Sequence, residues 1–271
     1  MGTSDEQHRT SRGSGKQTGR KRTGRKQNGG KQNCNAANTT RRRGSGRIGA
    51  TTHFLILLDR SGSMTAIARD VVNGFNAWLR DQQRLGDDAV LTLVQFDDID
   101  DHEVLLDAEP ISRVRPLTPE RFTPRAATPL LDATGRIIAR AQLRERERIA
   151  GGLPAEGVVV VSITDGHENA SVEFTIDRIR DLVSEREAAG WTFVFLSAAL
   201  DVYGEAGALG YRDHNIQAFR ADRHGTEQAF ISLSQGSVNV RAQHRSGAVD
   251  DALDLWGEEK PAESYRNSHR G

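Results

Sequence analysis

Three strongly apolar segments, separated by amphipathic ones, are the feature that most limits what this chain can fold into. They begin at Thr52, Gly157 and Trp191 and have the sequences THFLILL, GVVVVSIT and WTFVFLSAAL. Continuous apolar runs rich in β-branched residues are typical of strands buried on both faces of a sheet. Between them, apolar residues recur at helical spacing. This alternation predicts an α/β fold with a mostly parallel central sheet and helices on both faces.

The remaining elements follow from the same patterns. The segments AVLTLVQF and HEVLLDA flank the polar turn DDIDD and are predicted to pair as a hairpin, which adds one antiparallel edge strand. A short edge strand is predicted at residues 215–219. Helical stripes are predicted over residues 65–85, after Pro129, and over 173–189, 201–210 and 226–240.

Charge divides the chain into a basic N-terminal tail and an acidic remainder. Residues 1–50 contain 13 Lys and Arg but only 2 Asp and Glu, while the whole chain has a net charge of zero. This tail has no aromatic residue and too little apolar surface to offset its ordering entropy, so we expect it to be disordered. Its basic clusters predict at most a weak contact with nucleic acid, because no aromatic side chains are interleaved for base stacking.

The domain organisation predicted from composition is a basic tail at 1–50, a folded domain at 51–240 and a polar C-terminal tail at 241–271. In that last segment, Val249, Leu253 and Trp256 would form one short docking helix or nothing ordered. The single cysteine, Cys34, excludes an intrachain disulfide and a zinc-binding cysteine cluster. No apolar run follows the basic N-terminus or approaches about 20 residues, so neither a signal peptide nor a membrane span is predicted. We therefore expect a cytoplasmic protein.

Oxygen-bearing side chains occur where the predicted strands end. Asp59, Ser61 and Ser63 follow the first strand, and Asp165 follows GVVVVSIT directly. Thr128 precedes Pro129 at the start of a predicted helix. In open parallel sheets, ligands bind beyond the carboxyl ends of the strands, at the point where the strand order reverses. These five residues are therefore predicted to meet at one edge of the sheet.

All five candidates are hard oxygen donors, two carboxylates and three hydroxyls, and Mg²⁺ prefers six such oxygens in an octahedron. The three hydroxyls bring no charge. If the carboxylates act largely through water, the cation stays electron-poor and favours an anionic ligand from outside. The pattern predicts a Mg²⁺ or Mn²⁺ site with an open coordination position.

The segments DRSGSM, ATPLLDA and TDGHEN resemble the metal-ion-dependent adhesion site of von Willebrand factor type A (VWA) domains, and the stand-alone bacterial members in particular. The resemblance extends over about residues 51–240 and implies a doubly wound, Rossmann-like sheet of about six strands. It implies that Ser61, Ser63 and Thr128 are hydroxyl ligands, and that Asp59 and Asp165 act mainly through water. The remaining position would bind an Asp or Glu side chain of a protein partner.

Other functions and other roles for the same residues stay open from the sequence. Asp and Ser at 59–63 and Thr128 are also suited to capping helices, and Asp165-Gly166 is a common turn pair. A metal-dependent hydrolase acting on phosphoesters is an alternative, as is nucleic-acid binding through the tail. The motifs of haloacid dehalogenase phosphatases, α/β-hydrolases and nucleotide-binding loops are absent. A binding module is favoured over an enzyme.

Several further polar residues receive structural predictions. His167 and Glu168 are expected in a solvated loop at the rim of the site, and Asp201 is a weak candidate for that rim. Asp132 and Arg136 are expected to pair on a helix surface. His53 and Trp191 are predicted to pack at strand starts. The acidic turn is predicted to be a solvated hairpin, or a second cation site, formed by Asp97, Asp98, Asp100 and Asp101.

Overall fold

A computed structural model describes residues 49–247, 255–256 and 260–269, so the predicted basic tail lies almost wholly outside the described residues. The strands are β1 Thr52–Asp59, β2 Ala89–Phe96, β3 Glu103–Pro110, β4 Gly157–Thr164, β5 Thr192–Ser197 and β6 Ile216–Ala218. The helices are α1 Ala68–Arg84, α2 Leu130–Ala150, α3 Ile176–Ala188, α4 Val202–Ala208, α5 Arg223–Ser246 and α6 Pro261–Ser268. None of the helices in the described part of the chain has the length and apolar character needed to cross a membrane.

The six strands form one sheet in the order β3-β2-β1-β4-β5-β6. Only β3 is antiparallel to its neighbour; all other pairs are parallel. The chain moves outward from β1 to β3 and then returns to add β4 on the other side of β1. The predicted fold, a doubly wound sheet of six strands with an antiparallel edge, is confirmed.

Each central strand contributes to two hydrophobic layers, because successive side chains of a strand point to opposite faces. From β1, Phe54, Ile56 and Leu58 pack in the layer beneath α1 and α5, and Leu55 and Leu57 pack in the layer beneath α2 and α3. All five are completely buried. A strand that is apolar at every position is thus explained by helices covering both faces.

The C-terminal boundary differs from the prediction. Helix α5 continues to Ser246, past the predicted domain end at residue 240. Leu255 and Trp256 are buried in the layer beneath α1 and α5, and α6 follows them. Polar composition had suggested a tail, but Leu255, Trp256 and Ala262 are buried in the domain, while Val249 and Leu253 of the predicted docking helix lie outside the described residues.

Gly74 lets α1 and α5 approach closely. A Cβ added at this position would lie 2.2 Å from the ring of Phe230, which is itself buried in the core. We expect Gly74→Ala to lower the free energy of unfolding by about 1–3 kcal/mol, because the helices must separate to admit a methyl group. Urea unfolding followed by circular dichroism measures this.

The matched control is Gly207→Ala in α4, where an added Cβ has no heavy atom within 4 Å. Alanine is the better helix former by about 1 kcal/mol, so this variant should be as stable as the wild type or more stable. Equal stability of the two alanine variants would contradict the packing role of Gly74.

Candidate metal site

Two of the predicted ligand segments follow neighbouring parallel strands. β1 ends at Asp59, and Asp165 comes directly after β4, which ends at Thr164. Because β1 lies between β2 and β4, the strand order reverses here. The connections diverge at such a point and leave a crevice beyond the strand ends. Topology alone therefore brings two carboxylates to the edge where ligands bind in this class of fold.

Asp59 is completely buried, and both of its carboxylate oxygens accept hydrogen bonds. The backbone N–H of Ser61 donates to Oδ1 at 2.6 Å, and Thr164 Oγ1 donates to Oδ2 at 2.5 Å. Burial raises the pKa of Asp59 to about 6, and the hydrogen bonds from Thr164 and Ser61 offset only part of that rise. The negative charge of Asp165 adds to it. A nearby cation would favour the ionised form.

Two serine hydroxyls connect the carboxylates. Ser61 Oγ and Ser63 Oγ lie 3.0 Å apart, and Ser63 Oγ donates to Asp165 Oδ1 at 2.5 Å. The short 3-10 helix Gly62–Ala66 turns the chain so that both serines face the same side. Ser63 is exposed and Asp165 is half-buried, so this group of oxygens opens to solvent. Burial raises the pKa of Asp165 as well, against the hydrogen bond from Ser63.

Thr128 reaches the same place from the third segment. Its N–H donates to Asn169 Oδ1 at 2.9 Å, and the N–H of Asn169 donates to its carbonyl at 3.2 Å, which joins the loops before α2 and after β4. A Cβ added to Gly166 would lie 3.4 Å from Ser63 Oγ and 3.7 Å from Thr128 Oγ1, so both hydroxyls face one small space. Thr128 is only 2% exposed, and its hydroxyl has no hydrogen-bond partner among the described residues.

The one basic residue within the DRSGSM segment points away from these oxygens. Arg60 Nε donates to Asp97 Oδ2 at 2.7 Å, and its Nη1 donates to Gln95 Oε1 at 3.1 Å and to Glu103. In the described part of the chain, neither Asp59 nor Asp165 forms an ion pair with a basic side chain. The site therefore contains two carboxylates and several hydroxyl oxygens, and no basic side chain among the described residues neutralises the carboxylates.

The structure thus brings together all five residues that the sequence predicted: Asp59, Ser61, Ser63, Thr128 and Asp165. Their oxygens come from three segments that are distant along the chain. Sequence analysis missed the residues that hold them in place. Thr164 orients Asp59, and Asn169 fixes Thr128. Both are polar residues of the TDGHEN segment, at its first and last positions, which is the only signal the sequence offered for them.

The acidic turn after β2 is not a solvated hairpin throughout. Asp97 is completely buried: its Oδ2 accepts hydrogen bonds from Arg60 and Arg125, and its Oδ1 accepts from the N–H groups of Ile99 and Asp100. Among the described residues, no group of three or more Asp, Glu, His or Cys side chains is placed to hold a metal. Because Arg60 and Arg125 already neutralise the buried carboxylate of Asp97, the structure does not favour a second cation site at this turn.

The predicted surface pair of Asp132 and Arg136 is also wrong. Asp132 is 1% exposed and accepts hydrogen bonds at 2.8–3.2 Å from the N–H groups of residues 172–174. Arg136 instead pairs with Asp101 and Glu173. Asp132 therefore fixes the far end of the loop that begins with Asp165, which a helix-surface pattern could not reveal.

The remaining polar predictions have mixed outcomes. Glu168 is half-buried and accepts hydrogen bonds from the N–H groups of Leu131, Ala170 and Ser171, so it organises the loop rather than lying free in solvent. His167 is exposed beside Glu205. Asp201 caps α4 by accepting from the N–H of Gly204.

The packing predicted for His53 and Trp191 is confirmed. Both side chains are buried, and His53 is hydrogen-bonded to Thr92. The ring of Trp191 packs against Phe193 in the layer beneath α2 and α3.

No protein-family model matches the sequence, and no curated protein is similar to it in sequence. Solved structures match by fold. The pilus adhesin SpaC from Lactobacillus rhamnosus GG, in its open conformation, is 12% identical with a TM-score of 0.52; the match covers 72% of this chain and 30% of the adhesin. This chain therefore matches less than a third of the adhesin's length.

Two other solved structures match less closely. The vWF domain of the type V pili tip protein Mfa5 from Porphyromonas gingivalis is 10% identical (TM-score 0.47; 71% of this chain and 96% of that one). Manganese-loaded TRAP from Plasmodium vivax is 13% identical (TM-score 0.44; 67% and 74%). At these identities the comparisons concern the fold alone: this chain shares its fold with the matched part of the SpaC adhesin.

Proposed function

We propose that this chain is a protein-binding module that depends on a divalent metal. Asp59, Ser61, Ser63, Thr128 and Asp165 would hold Mg²⁺ or Mn²⁺, and the metal would capture an Asp or Glu side chain of a protein partner. The observation that carries the proposal is the convergence of five oxygen-bearing side chains on the switch point of the sheet without a basic partner.

The donor set fits a hard divalent cation. Carboxylate and hydroxyl oxygens are the ligands that Mg²⁺ and Mn²⁺ favour. Thr128 supplies a hydroxyl that has no hydrogen-bond partner among the described residues, so its lone pairs are available to a cation. The buried carboxylate of Asp59 and the half-buried carboxylate of Asp165 both have raised pKa values, and positive charge would stabilise their ionised forms.

The same donor set explains why an acidic partner is expected. Three of the five side chains are neutral, and the two carboxylates already accept hydrogen bonds from Ser61, Thr164 and Ser63. A bound metal would therefore keep part of its positive charge, and its open coordination position would favour a carboxylate. Because Ser63 is exposed, this position is accessible from the surface. The protein's own residues orient the site, and nothing in the proposal requires a bond to be broken.

The experiment compares partner capture by wild type and Thr128→Ala in Mg²⁺ and in EDTA, with captured proteins identified by mass spectrometry. We expect capture only by the wild type in Mg²⁺, and we expect a polyglutamate peptide, but not polyglutamine, to block it. Thr128→Ala should lower the melting temperature only slightly, since it removes one buried methyl group and a hydroxyl that has no hydrogen-bond partner among the described residues.

Thr123→Ala is the matched control, because Thr123 is an exposed threonine in the same connection between β3 and α2. It should capture the same proteins as the wild type. Capture that persists in EDTA, or that polyglutamine blocks as well as polyglutamate does, would count against a metal-bound carboxylate.

A further inference from the structure

A second concave site lies away from the metal loop, between α1, the β2-β3 hairpin and the connection from β3 to α2. Its volume is about 240 Å³. This is close to the lower end of the roughly 300–1,000 Å³ that is usual for small-molecule sites. The floor of the cavity is apolar and is formed by Phe75, Leu93, Leu105, Leu106 and Leu117.

A strand irregularity provides part of this floor. Leu105 and Leu106 are consecutive in β3, and consecutive strand residues normally point to opposite faces. Leu106 pairs with Leu93 and Val104 pairs with Val94, so Leu105 has no counterpart of its own on β2. Such bulges turn side chains to a new direction and are frequent beside functional sites. Here the bulge lets two neighbouring leucines line one cavity.

On the side of the cavity opposite the hairpin, amide side chains of α1 hydrogen-bond to the connection between β3 and α2. Asn76 of α1 donates to the carbonyl of Leu117 and accepts from its N–H, both at 2.8 Å. Gln83 donates to the carbonyls of Ile111 and Val114 at 3.0 and 2.9 Å. These paired contacts hold an irregular connection against a helix, so the cavity is already formed without a ligand.

Three arginines, Arg113, Arg115 and Arg121, line the mouth of the cavity. All three are exposed, and within the described residues none of their side chains forms an ion pair or hydrogen bond. Glu109 is the only acidic residue among those that line the cavity. Most other arginines of the domain pair with carboxylates, for example Arg136, so a group of three unpaired guanidinium ions is a local excess of positive charge.

We propose that this cavity binds a small amphipathic carboxylate, with an aromatic or short aliphatic body on the leucine floor and the carboxylate among the three arginines. Guanidinium groups bind carboxylates in planar, two-point geometry. The apolar floor provides the hydrophobic contact that a fully polar anion could not use. This inference is independent of the proposed metal site, since it rests on different residues.

Calorimetric titration with phenylbutyrate tests the proposal, in EDTA so that the metal site cannot contribute. We expect saturable binding tighter than about 1 mM. Phenylbutanol, which has the same apolar body without the charge, should bind at least about tenfold more weakly, because one hydrogen bond to a charged group is worth this much. Weaker or no binding of phenylbutyrate, or equal binding of the alcohol, would overturn the proposal.

The triple variant R113Q/R115Q/R121Q should bind phenylbutyrate at least about tenfold more weakly than the wild type, with an unchanged melting temperature, because all three side chains are exposed. The matched control R69Q/R80Q/R178Q removes three exposed arginines elsewhere and should bind as the wild type does. If both triple variants lost phenylbutyrate affinity equally, the effect would come from the overall charge of the protein, and the proposed binding site would be wrong. Binding of a peptide with one phenylalanine between glutamates, but not of phenylbutyrate, would also overturn it.

Discussion

Replacing Asp97 with alanine is expected to lower the free energy of unfolding by about 3–5 kcal/mol. The carboxylate has no exposed surface and receives four hydrogen bonds, two from arginines and two from backbone N–H groups. Its burial alone would raise the pKa of Asp97, but the N–H of Asp100 and the guanidinium of Arg125 hold it below its usual range. Without it, the buried guanidinium of Arg60 loses its best-placed partner. Chemical denaturation followed by tryptophan fluorescence measures the loss.

Asp98→Ala is the matched control in the same turn. Asp98 is exposed and accepts a single hydrogen bond, from the N–H of Ala127, so its removal should cost no more than about 1 kcal/mol. Asp97→Asn should fall between the two, since the amide keeps the shape but not the charge. If Asp97→Ala were as stable as Asp98→Ala, the buried ion pairs would contribute nothing to the stability of the fold.

The architecture was predictable because its signals are local. A strand buried on both faces is apolar at every position, and β1 and β4 show this directly in the sequence. The order of hydrophobic and helical segments then specifies the alternation that produces a parallel sheet. Element ends were less accurate: α3 begins at Ile176 rather than at residue 173, because Asp132 holds the N–H groups of residues 172–174 in a loop.

The candidate site was predictable for a related reason. Parallel strands bring their carboxyl ends to one edge, so a polar residue after an apolar run can be placed without knowing any contact. The supporting residues could not be placed in this way. Asp97 meets Arg60 and Arg125, which are 37 and 28 residues away, and Asp132 meets Val172 at a separation of 40. These contacts between distant parts of the sequence form only when the whole sheet has formed. In the sequence alone, Asp97 and Asp132 each resemble an ordinary surface carboxylate.

Replacing Asp59 with asparagine is expected to lower the affinity for Mn²⁺ about 10- to 100-fold, because the variant loses one of the two charges in the site. The amide has the same shape, and its oxygen can still accept from the N–H of Ser61. In EDTA the variant should therefore be as stable as the wild type or more stable, since it no longer buries a charged group without a cation. Electron paramagnetic resonance of bound Mn²⁺ gives the affinity, and thermal unfolding gives the stability.

The two readouts together separate a lost ligand from a damaged fold. At a Mn²⁺ concentration about 100 times its dissociation constant, binding stabilises the wild type by about 2.7 kcal/mol. The Asp59→Asn variant should gain only about 0.4–1.4 kcal/mol at the same Mn²⁺ concentration, so the metal should favour the wild type by the difference. Asp201→Asn, which changes a carboxylate that caps α4, should keep the full Mn²⁺-dependent gain. If Asp59→Asn gained as much from Mn²⁺ as the wild type does, the cation would bind elsewhere, and the crevice between β1 and β4 would not be a metal site.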